Sequence, residues 1–269
     1  MQTPARPDPI ARHDALIVLP TYNERESLES VVVDVLSCVP EAHILIIDDA
    51  SPDGTGRIAD ALAAADARVT VLHRSGKLGL GTAYIAGFRI ALERGYAYVV
   101  EMDSDGSHQP EALPALLTAA RDGAGLVIGT RWMPGGEIVN WPRYRRLISR
   151  GGTAFARRAL RSQLRDLTSG FRVLSRETVE LLDTSRIDSE GYAFQVETAW
   201  RIERLGCTVA EVPITFVERT SGRSKMSVRI MREAFVNVLR WGRELRRTTP
   251  AQSAAGPGNP EPAAVKRSR

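Results

Sequence analysis

Two aspartates, Asp103 and Asp105, flank a single serine shortly after an apolar run, residues 96–100, that is typical of a buried strand. Residues 106–110, which follow, suit neither a strand interior nor a helix interior. In an extended backbone residues i and i+2 point the same way, so both carboxylates can bind one hard cation, and that cation can hold a diphosphate. An isolated pair of this kind more often marks a simple turn, so the rest of the chain must decide between the two interpretations.

Two other predicted strands also end in polar, acidic segments. Residues 15–19 run into residues 20–24, and residues 43–47 run into Asp48 and Asp49. Ligands of parallel α/β sheets bind at the carboxyl ends of the strands, so all three acidic segments are expected at one edge. Convergent carboxylates repel each other unless a cation or a hydrogen-bonding ligand relieves them. The pattern therefore favours a nucleotide and metal site over three unrelated turns.

The elements between these segments predict the fold class. Apolar residues at helical spacing predict helices over residues 27–36 and 56–65, with a strand over residues 69–73 between the second helix and the next one. A glycine-containing loop, residues 76–81, leads into a further helix that ends near Arg94. Strands separated by such helices predict an α/β protein with a mostly parallel, Rossmann-like central sheet flanked by helices.

Later in the chain, a strand over residues 125–128 carries Arg131 to the same edge, and residues 208–216 predict another strand. Residues 217–225 form a polar, cationic loop of the kind that can close on phosphates. The first 13 residues and residues 248–269 are expected to be disordered.

Composition excludes several classes of protein. The 269 residues are 43% hydrophobic and 25% charged, which is enough to bury a sizeable core. No run approaches the ~18 apolar residues of a membrane span, and residues 1–14 lack the apolar core of a signal peptide. Cys38 and Cys207 belong to no metal-spaced cluster, so a reducing, cytoplasmic location is the expectation.

Basic residues are concentrated in two predicted helices. Eight arginines and no acidic residue lie between Trp141 and Arg165, and residues 229–247 form a second basic amphipathic segment. A solvated face, or packing of the apolar side on the core, competes with contact to an anionic membrane surface. Nucleic acid is the less favoured partner, because no binding signature accompanies the arginines and aromatic residues are only 6% of the chain.

Taken in order, several motifs resemble those of family 2 glycosyltransferases of the GT-A fold, and among them the dolichol-phosphate and polyprenol-phosphate mannose synthases. The resemblance runs from about Ala15 to Arg247. The motifs that carry it are Pro20-Thr21-Tyr22-Asn23-Glu24, Asp48-Asp49-Ala50-Ser51-Pro52-Asp53-Gly54-Thr55, Leu78-Gly79-Leu80-Gly81-Thr82-Ala83-Tyr84, Asp103-Ser104-Asp105, Gly129-Thr130-Arg131, Asp166-Leu167-Thr168-Ser169-Gly170-Phe171-Arg172 and Gly222-Arg223-Ser224-Lys225. Their joint occurrence is far more specific than any one of them.

The resemblance implies a role for each matching residue. Those expected at the base and ribose of a nucleotide-sugar are Pro20, Tyr22, Glu24, Ile47 and Asp49. Those expected at its phosphates and metal are Asp103, Ser104, Asp105, Arg131, Arg219 and Lys225. Asp103 and Asp105 would hold Mg²⁺ or Mn²⁺, and Asp105 and Arg131 are the expected catalytic residues. Ser107 stands where certain relatives carry a glutamine near the metal, which leaves the third protein ligand open.

The same resemblance implies one GT-A domain over residues 14–247, with a nucleotide-binding half (14–130) and an acceptor half (131–247) that carries the basic helices. The implied reaction is inverting transfer of mannose from GDP-mannose to a polyprenyl monophosphate. Another donor, such as UDP-glucose, is the nearest alternative, and a non-catalytic protein that binds sugar nucleotides is a more distant one. The implied partners are the membrane surface on its cytoplasmic side and, in some relatives, a membrane-embedded subunit.

Overall fold

A computed structural model describes residues 14–187, 189, 191–218 and 228–248. The strands it contains are β1 (Ala15–Thr21), β2 (His43–Asp48), β3 (Val69–His73), β4 (Tyr98–Glu101), β5 (Leu126–Thr130), β6 (Glu137–Val139), β7 (Arg172–Ser175), β8 (Val209–Pro213) and β9 (Thr215–Val217). The α-helices are α1 (Leu28–Cys38), α2 (Thr55–Ala65), α3 (Leu80–Glu93), α4 (Leu113–Arg121), α5 (Arg143–Leu160), α6 (Arg176–Leu181), α7 (Gly191–Arg204) and α8 (Val228–Thr248). Short 3₁₀ turns precede α4 and α7.

The central sheet has seven strands in the order β3-β2-β1-β4-β7-β5-β8. Every neighbouring pair is parallel except those of β7, which runs antiparallel to both β4 and β5. The predicted fold class, a mostly parallel sheet flanked by helices, is therefore confirmed. The antiparallel strand was not predicted, because four buried residues are too few to display a period along the sequence.

Strand β1 shows how the sheet separates two apolar layers. Leu16 and Val18 face a layer with α3, α5, α7 and α8, whereas Ile17 and Leu19 face a layer with α1, α2 and α4. All four side chains are fully buried. A strand covered on both faces has no reason to alternate polar and apolar residues, which explains its continuous apolar sequence.

The predicted strand over residues 208–216 is in fact two strands, and that prediction was wrong. β8 completes the edge of the central sheet, whereas β9 pairs with β6 in a separate two-stranded sheet. Pro213 ends β8, and because proline has no backbone N–H it cannot donate to continue the ladder. The break directs Phe216 toward the acidic turn, where its backbone bridges that of His108.

The two basic helices, α5 and α8, pack together on the face of the sheet that also carries α3 and α7. Phe155 of α5 stacks on Phe235 of α8 with ring centroids 4.5 Å apart, and Trp241 of α8 stacks on Trp200 of α7 at 5.9 Å. The face of α8 that includes Trp241 is thus buried, as the packing interpretation requires. Large apolar residues at the start of α5 stay exposed, and they are Tyr144, Leu147 and Ile148. Within the described ranges, no helix combines the length and the apolar character needed to cross a bilayer.

Helix α3 approaches β1 so closely at Gly87 that no side chain fits. A Cβ built there would lie 2.8 Å from both methyl carbons of Val18. Gly87→Ala should therefore lower the free energy of unfolding by about 1–3 kcal/mol through overpacking. Gly151→Ala, at an exposed α5 position with open space around it, should raise that free energy by roughly 0.5–1 kcal/mol. Urea denaturation measures both, and equal effects of the two substitutions would contradict the close approach.

Candidate active site

The carboxyl ends of β1, β2 and β4 meet at one edge of the sheet, as the sequence predicted. Thr21 at the end of β1 lies opposite Asp48 at the end of β2, and β4 pairs in parallel on the other side of β1. The turn 103–105 follows β4 at this edge. The three acidic segments are therefore neighbours in space.

Serine side chains fix the acidic turn to the end of β1. Ser104 Oγ donates to the carbonyl of Pro20 at 2.8 Å, and Ser27 Oγ donates to the carbonyl of Ser104 at the same distance. The backbone N–H of Ser107 donates to Asp105 Oδ1 at 3.0 Å, which closes the turn. The Asp103 side chain stays 37% exposed and Asp105 is half-buried, so both carboxylates are accessible to a ligand.

His108 lies directly beneath Asp103. Its Nδ1 accepts the backbone N–H of Asp103 at 3.0 Å, so the neutral ring must carry its proton on Nε2, which lies 3.9 Å from Asp103 Oδ2. The ring stacks on Phe171, with centroids 4.9 Å apart, and meets Phe216 edge-on. Burial lowers the pKa of His108 to about 4, although the charge of Asp105 opposes this change. The imidazole is thus neutral near pH 7.

Asp49, expected at the ribose, organises the glycine loop in this structure. Its carboxylate accepts from Arg74 Nε at 2.5 Å and from the backbone N–H of Leu78 at 3.1 Å. The same arginine donates to the carbonyl of Gly79 at 3.0 Å and to Thr82 Oγ1 at 2.7 Å. One buried ion pair therefore holds the end of β2 against the start of α3.

Residues 20–24, at the end of β1, form a wall of the site next to the segment that follows β2. The backbone N–H groups of Asn23 and Glu24 donate to Ser51 Oγ and Thr55 Oγ1 at 3.1 and 3.0 Å. Asn23 has a φ of +59°, a left-handed conformation that non-glycine residues rarely adopt and that these contacts maintain. Lys77 Nζ lies 4.3 Å from the ring centroid of Tyr22.

Among the other residues expected at the nucleotide, Ile47 is fully buried beneath this wall. Its side chain therefore supports the end of β2 from below. Arg219 and Lys225 lie outside the described residues, so their assignment to phosphates stays a prediction.

Arg131 occupies a buried position behind the acidic turn. Its Nε donates to Asp166 Oδ2 at 2.7 Å and its Nη2 donates to Asp166 Oδ1 at 2.9 Å, a bidentate pair in which both side chains are at least 97% buried. The guanidinium also lies 5.3 Å from the Phe216 ring and 5.7 Å from the Trp141 ring. Its expected contact with substrate phosphates stays a prediction, and the structure adds an anchoring role.

The sequence of this chain matches a known protein family. The family model described as "Glycosyl transferase family 2" matches residues 16–182. The chain belongs to glycosyltransferase family 2.

Two relatives match this family 2 chain over most of its length. The undecaprenyl-phosphate mannosyltransferase of Micrococcus luteus is 55% identical over 84% of this chain and 93% of its own. The polyprenol monophosphomannose synthase of Mycolicibacterium smegmatis is 49% identical over 90% of this chain and 91% of its own. These sequence identities of 55% and 49% far exceed the 22% and 23% identity to solved structures that share the fold.

Solved structures share the fold of this glycosyltransferase. Glucosyl-3-phosphoglycerate synthase from Mycobacterium tuberculosis, crystallised with Mn²⁺, UDP-glucose and phosphoglyceric acid, superposes with a TM-score of 0.62 at 22% identity, covering 86% of this chain and 80% of that chain. A second crystal structure of the same enzyme gives a TM-score of 0.63 at 23% identity. At this identity the likeness concerns the fold alone.

A buried polar cluster lies beneath the acidic turn of this glycosyltransferase. Glu101 and Arg172 face each other across β4 and β7, and both are almost completely buried. Burial raises the pKa of Glu101 to about 7, while the charge of Arg172 opposes the rise. Gln195 also lies near enough to oppose it, yet neither Glu101 oxygen has a partner with hydrogen-bond geometry among the described residues.

Several residues of the site escaped the sequence analysis. They are Arg74, His108, Glu101 and Gln195, and Asp166 was part of a family motif but had no assigned role. Glu101 follows an apolar stretch at the end of β4. A charged residue in such a position was the one feature of the sequence that could have predicted a buried carboxyl. Pairs such as Arg74 with Asp49 lie 25 residues apart and become visible only in the fold.

The donor set fits a divalent cation only if substrate completes its coordination. Within the described ranges there is no group of three or more His, Cys, Asp or Glu residues placed to hold a metal. Two accessible carboxylates on a fixed turn suit Mg²⁺ or Mn²⁺, since Mg²⁺ commonly takes one or two protein carboxylates and fills the remaining positions with phosphate oxygens and waters. Ser107 Oγ, a suggested third ligand, is buried and has no partner among the described residues.

The ion pair between Arg131 and Asp166 should dominate the stability of the acceptor half. Burial alone would raise the pKa of Asp166, but the charge of Arg131 and the hydrogen bonds from Arg131 and Thr168 lower it. Asp166→Asn should therefore lower the free energy of unfolding at pH 7 by about 3–5 kcal/mol, because the substitution leaves a buried arginine without its counter-charge.

The loss of stability caused by Asp166→Asn should become smaller as the pH falls. Because the pKa of Asp166 is lowered in the folded protein, its carboxylate stabilises the fold above the unfolded pKa of about 4. This contribution is lost as the pH falls through the folded pKa. Urea denaturation should therefore find the variant and the parent converging below about pH 4. Asp183→Asn, which weakens an exposed pair with Arg186, is the control and should have a much smaller effect. An Asp166→Asn penalty independent of pH would contradict the assignment.

Proposed function

We propose that this chain transfers mannose from GDP-mannose to the phosphate of a polyprenyl monophosphate, with inversion at the anomeric carbon. The observation that supports it most strongly is the accessible Asp103–Asp105 turn, fixed at the edge where β1, β2 and β4 end. The names of the two relatives, an undecaprenyl-phosphate mannosyltransferase and a polyprenol monophosphomannose synthase, supply the sugar and the acceptor. The guanosine base comes from the motif resemblance.

In this proposal Asp103 and Asp105 hold a divalent cation against the diphosphate of the donor. When bound, the cation supplies positive charge that stabilises the departing nucleoside diphosphate. The crystallisation of a fold neighbour with Mn²⁺ is consistent with a divalent ion of this kind. The hydrogen bond from Ser104 fixes the backbone of the turn, and the one from Ser107 holds the Asp105 carboxylate, so less free energy is spent on ordering the turn when substrate binds.

The nucleotide would occupy the wall formed by residues 20–24 and the end of β2. Tyr22, beside Lys77, offers a flat apolar surface to the base, and Glu24 offers a carboxylate that can accept from polar groups of the base or the ribose. Asp49 acts in part through Arg74 by holding the glycine loop. These assignments explain why the wall is fixed by so many backbone hydrogen bonds.

The reaction needs no strong general base. A bond forms between a phosphate oxygen of the acceptor and the anomeric carbon while the bond from that carbon to the donor's β-phosphate oxygen breaks on the opposite face. The acceptor phosphate is already an anion near pH 7, so no proton must be removed from it. The buried His108, neutral at this pH, keeps Asp103 oriented rather than abstracting a proton.

The start of α5 provides a surface for the membrane that holds the lipid. Tyr144 and Leu147 are 67% and 72% exposed, and Arg143, Arg146 and Arg150 lie on the same segment, exposed to solvent. Apolar residues inserted beside cationic ones suit an anionic bilayer surface. We assign this segment to peripheral contact with the cytoplasmic face of the membrane, where a membrane-embedded partner can also bind.

Label transfer tests the reaction. Purified protein, radiolabelled GDP-mannose, Mg²⁺ or Mn²⁺ and a short polyprenyl phosphate should give metal-dependent label in the organic phase. Asp105→Ala should lower the rate at least about 100-fold, because charge stabilisation in the transition state is lost. Asp34→Ala, which removes an exposed carboxylate from α1, should leave the rate unchanged.

Parallel reactions with labelled UDP-glucose decide the donor. Transfer from UDP-glucose but not from GDP-mannose would overturn the proposed sugar and base while retaining the mechanism. Absence of label from both donors would favour a non-catalytic protein that binds sugar nucleotides.

Sedimentation with vesicles tests the membrane surface. Arg143→Glu combined with Arg150→Glu should weaken binding to anionic liposomes by at least about tenfold, since each basic residue near such a surface contributes about 1 kcal/mol. Arg89→Glu on α3 combined with Arg94→Glu, at the residue that follows this helix, makes the same charge change and should bind as the parent does. Equal losses in both double variants would mean that net charge, rather than α5, determines binding.

A further inference from the structure

Gln195 of α7 has an environment that the mechanism above leaves unexplained. The residue is 3% exposed, and neither its Oε1 nor its Nε2 has a hydrogen-bond partner among the described residues. Burying an amide without partners costs free energy, so such a group in a native site calls for a ligand or a water. The Glu101 carboxyl lies near the amide, but the two groups do not have hydrogen-bond geometry.

The amide lies next to Gly170 and the acidic turn. The point where a Cβ of Gly170 would lie is 3.6 Å from Gln195 Nε2, 3.7 Å from His108 Cε1 and 3.9 Å from Asp103 Oδ1. These are ordinary van der Waals distances, so Gln195, His108 and Asp103 converge on the same glycine. Gln195 therefore lies beside the carboxylate that the proposed function assigns to the donor diphosphate.

Rigid contacts hold Gln195 in this position. Its neighbour Phe194 stacks on Tyr84 of α3 with ring centroids 6.0 Å apart. One turn further along α7, Thr198 Oγ1 accepts from Arg172 of β7 at 2.9 Å. These contacts fix the part of α7 that carries Gln195, as the backbone of a residue that orients a substrate must be.

We propose that Gln195 donates a hydrogen bond to the acceptor's phosphate at the reacting centre, and that its neutrality makes the site select a phosphate monoester over a hydroxyl acceptor. This inference rests on the proposed function and deepens it. A carboxylate at this position would repel an anionic nucleophile, whereas an amide N–H binds it without adding negative charge next to Asp103.

Gln195→Glu and Gln195→Ala test this assignment, with Gln163→Glu as a control that makes the same change at an exposed position. Calorimetry first measures the affinity for GDP with Mn²⁺, which should stay within about threefold of the parent because the nucleotide lies away from α7. The loaded protein is then titrated with farnesyl phosphate and with farnesol. Gln195→Glu should bind the phosphate at least about tenfold more weakly and farnesol as before, and Gln195→Ala should show a smaller loss in the same direction.

Two results would overturn the proposal. Either Gln195→Glu binds farnesyl phosphate as tightly as the parent, or both variants lose GDP affinity to the same extent as phosphate affinity, which would reveal a purely structural role. The binding measurements do not depend on sugar transfer. A parent protein that binds farnesyl phosphate but transfers no sugar would therefore count against the proposed function while leaving the role of Gln195 in place.

Discussion

The site depends on keeping several carboxylates close together at the edge of a sheet. The carboxylates of Asp49, Asp103 and Asp105 repel one another, so their positions depend on specific hydrogen bonds and an ion pair. Ser104 ties the acidic turn to β1, and Arg74 neutralises Asp49. The carboxylates of Asp103 and Asp105 remain accessible at the surface of the turn, whereas Asp49 is buried in its pair with Arg74.

Buried arginines, rather than carboxylates, must be stabilised in the part of the chain that follows β5. Arg131 and Arg172 are almost completely buried, and Asp166 with the carbonyl of Leu167 accounts for much of their hydrogen bonding. These pairs fix the segment that carries Gly170 next to Asp103. In a glycosyltransferase a rigid arrangement favours the reaction, because misplacement of a reacting group by 1 Å can cost about 100-fold in rate.

Much of the fold followed from local sequence, and much of the site did not. The apolar runs of β1 and β2, and the acidic residues directly after them, predict both the parallel sheet and its functional edge. The short strand β7 and the division of β8 from β9 depend on pairing across the sheet, which leaves no period in the sequence. Gln195 and His108 lie within an unremarkable helix and a turn, and their importance arises from Gly170 and Asp103, which are distant from Gln195 along the chain.

Anomalous diffraction tests the central claim most directly. Crystals of the protein grown with GDP-mannose and Mn²⁺ should give a single strong manganese peak between the carboxylates of Asp103 and Asp105, with the diphosphate in contact with the ion and the base beside Tyr22. A manganese peak elsewhere, or a nucleotide bound away from the edge formed by β1, β2 and β4, would contradict the account.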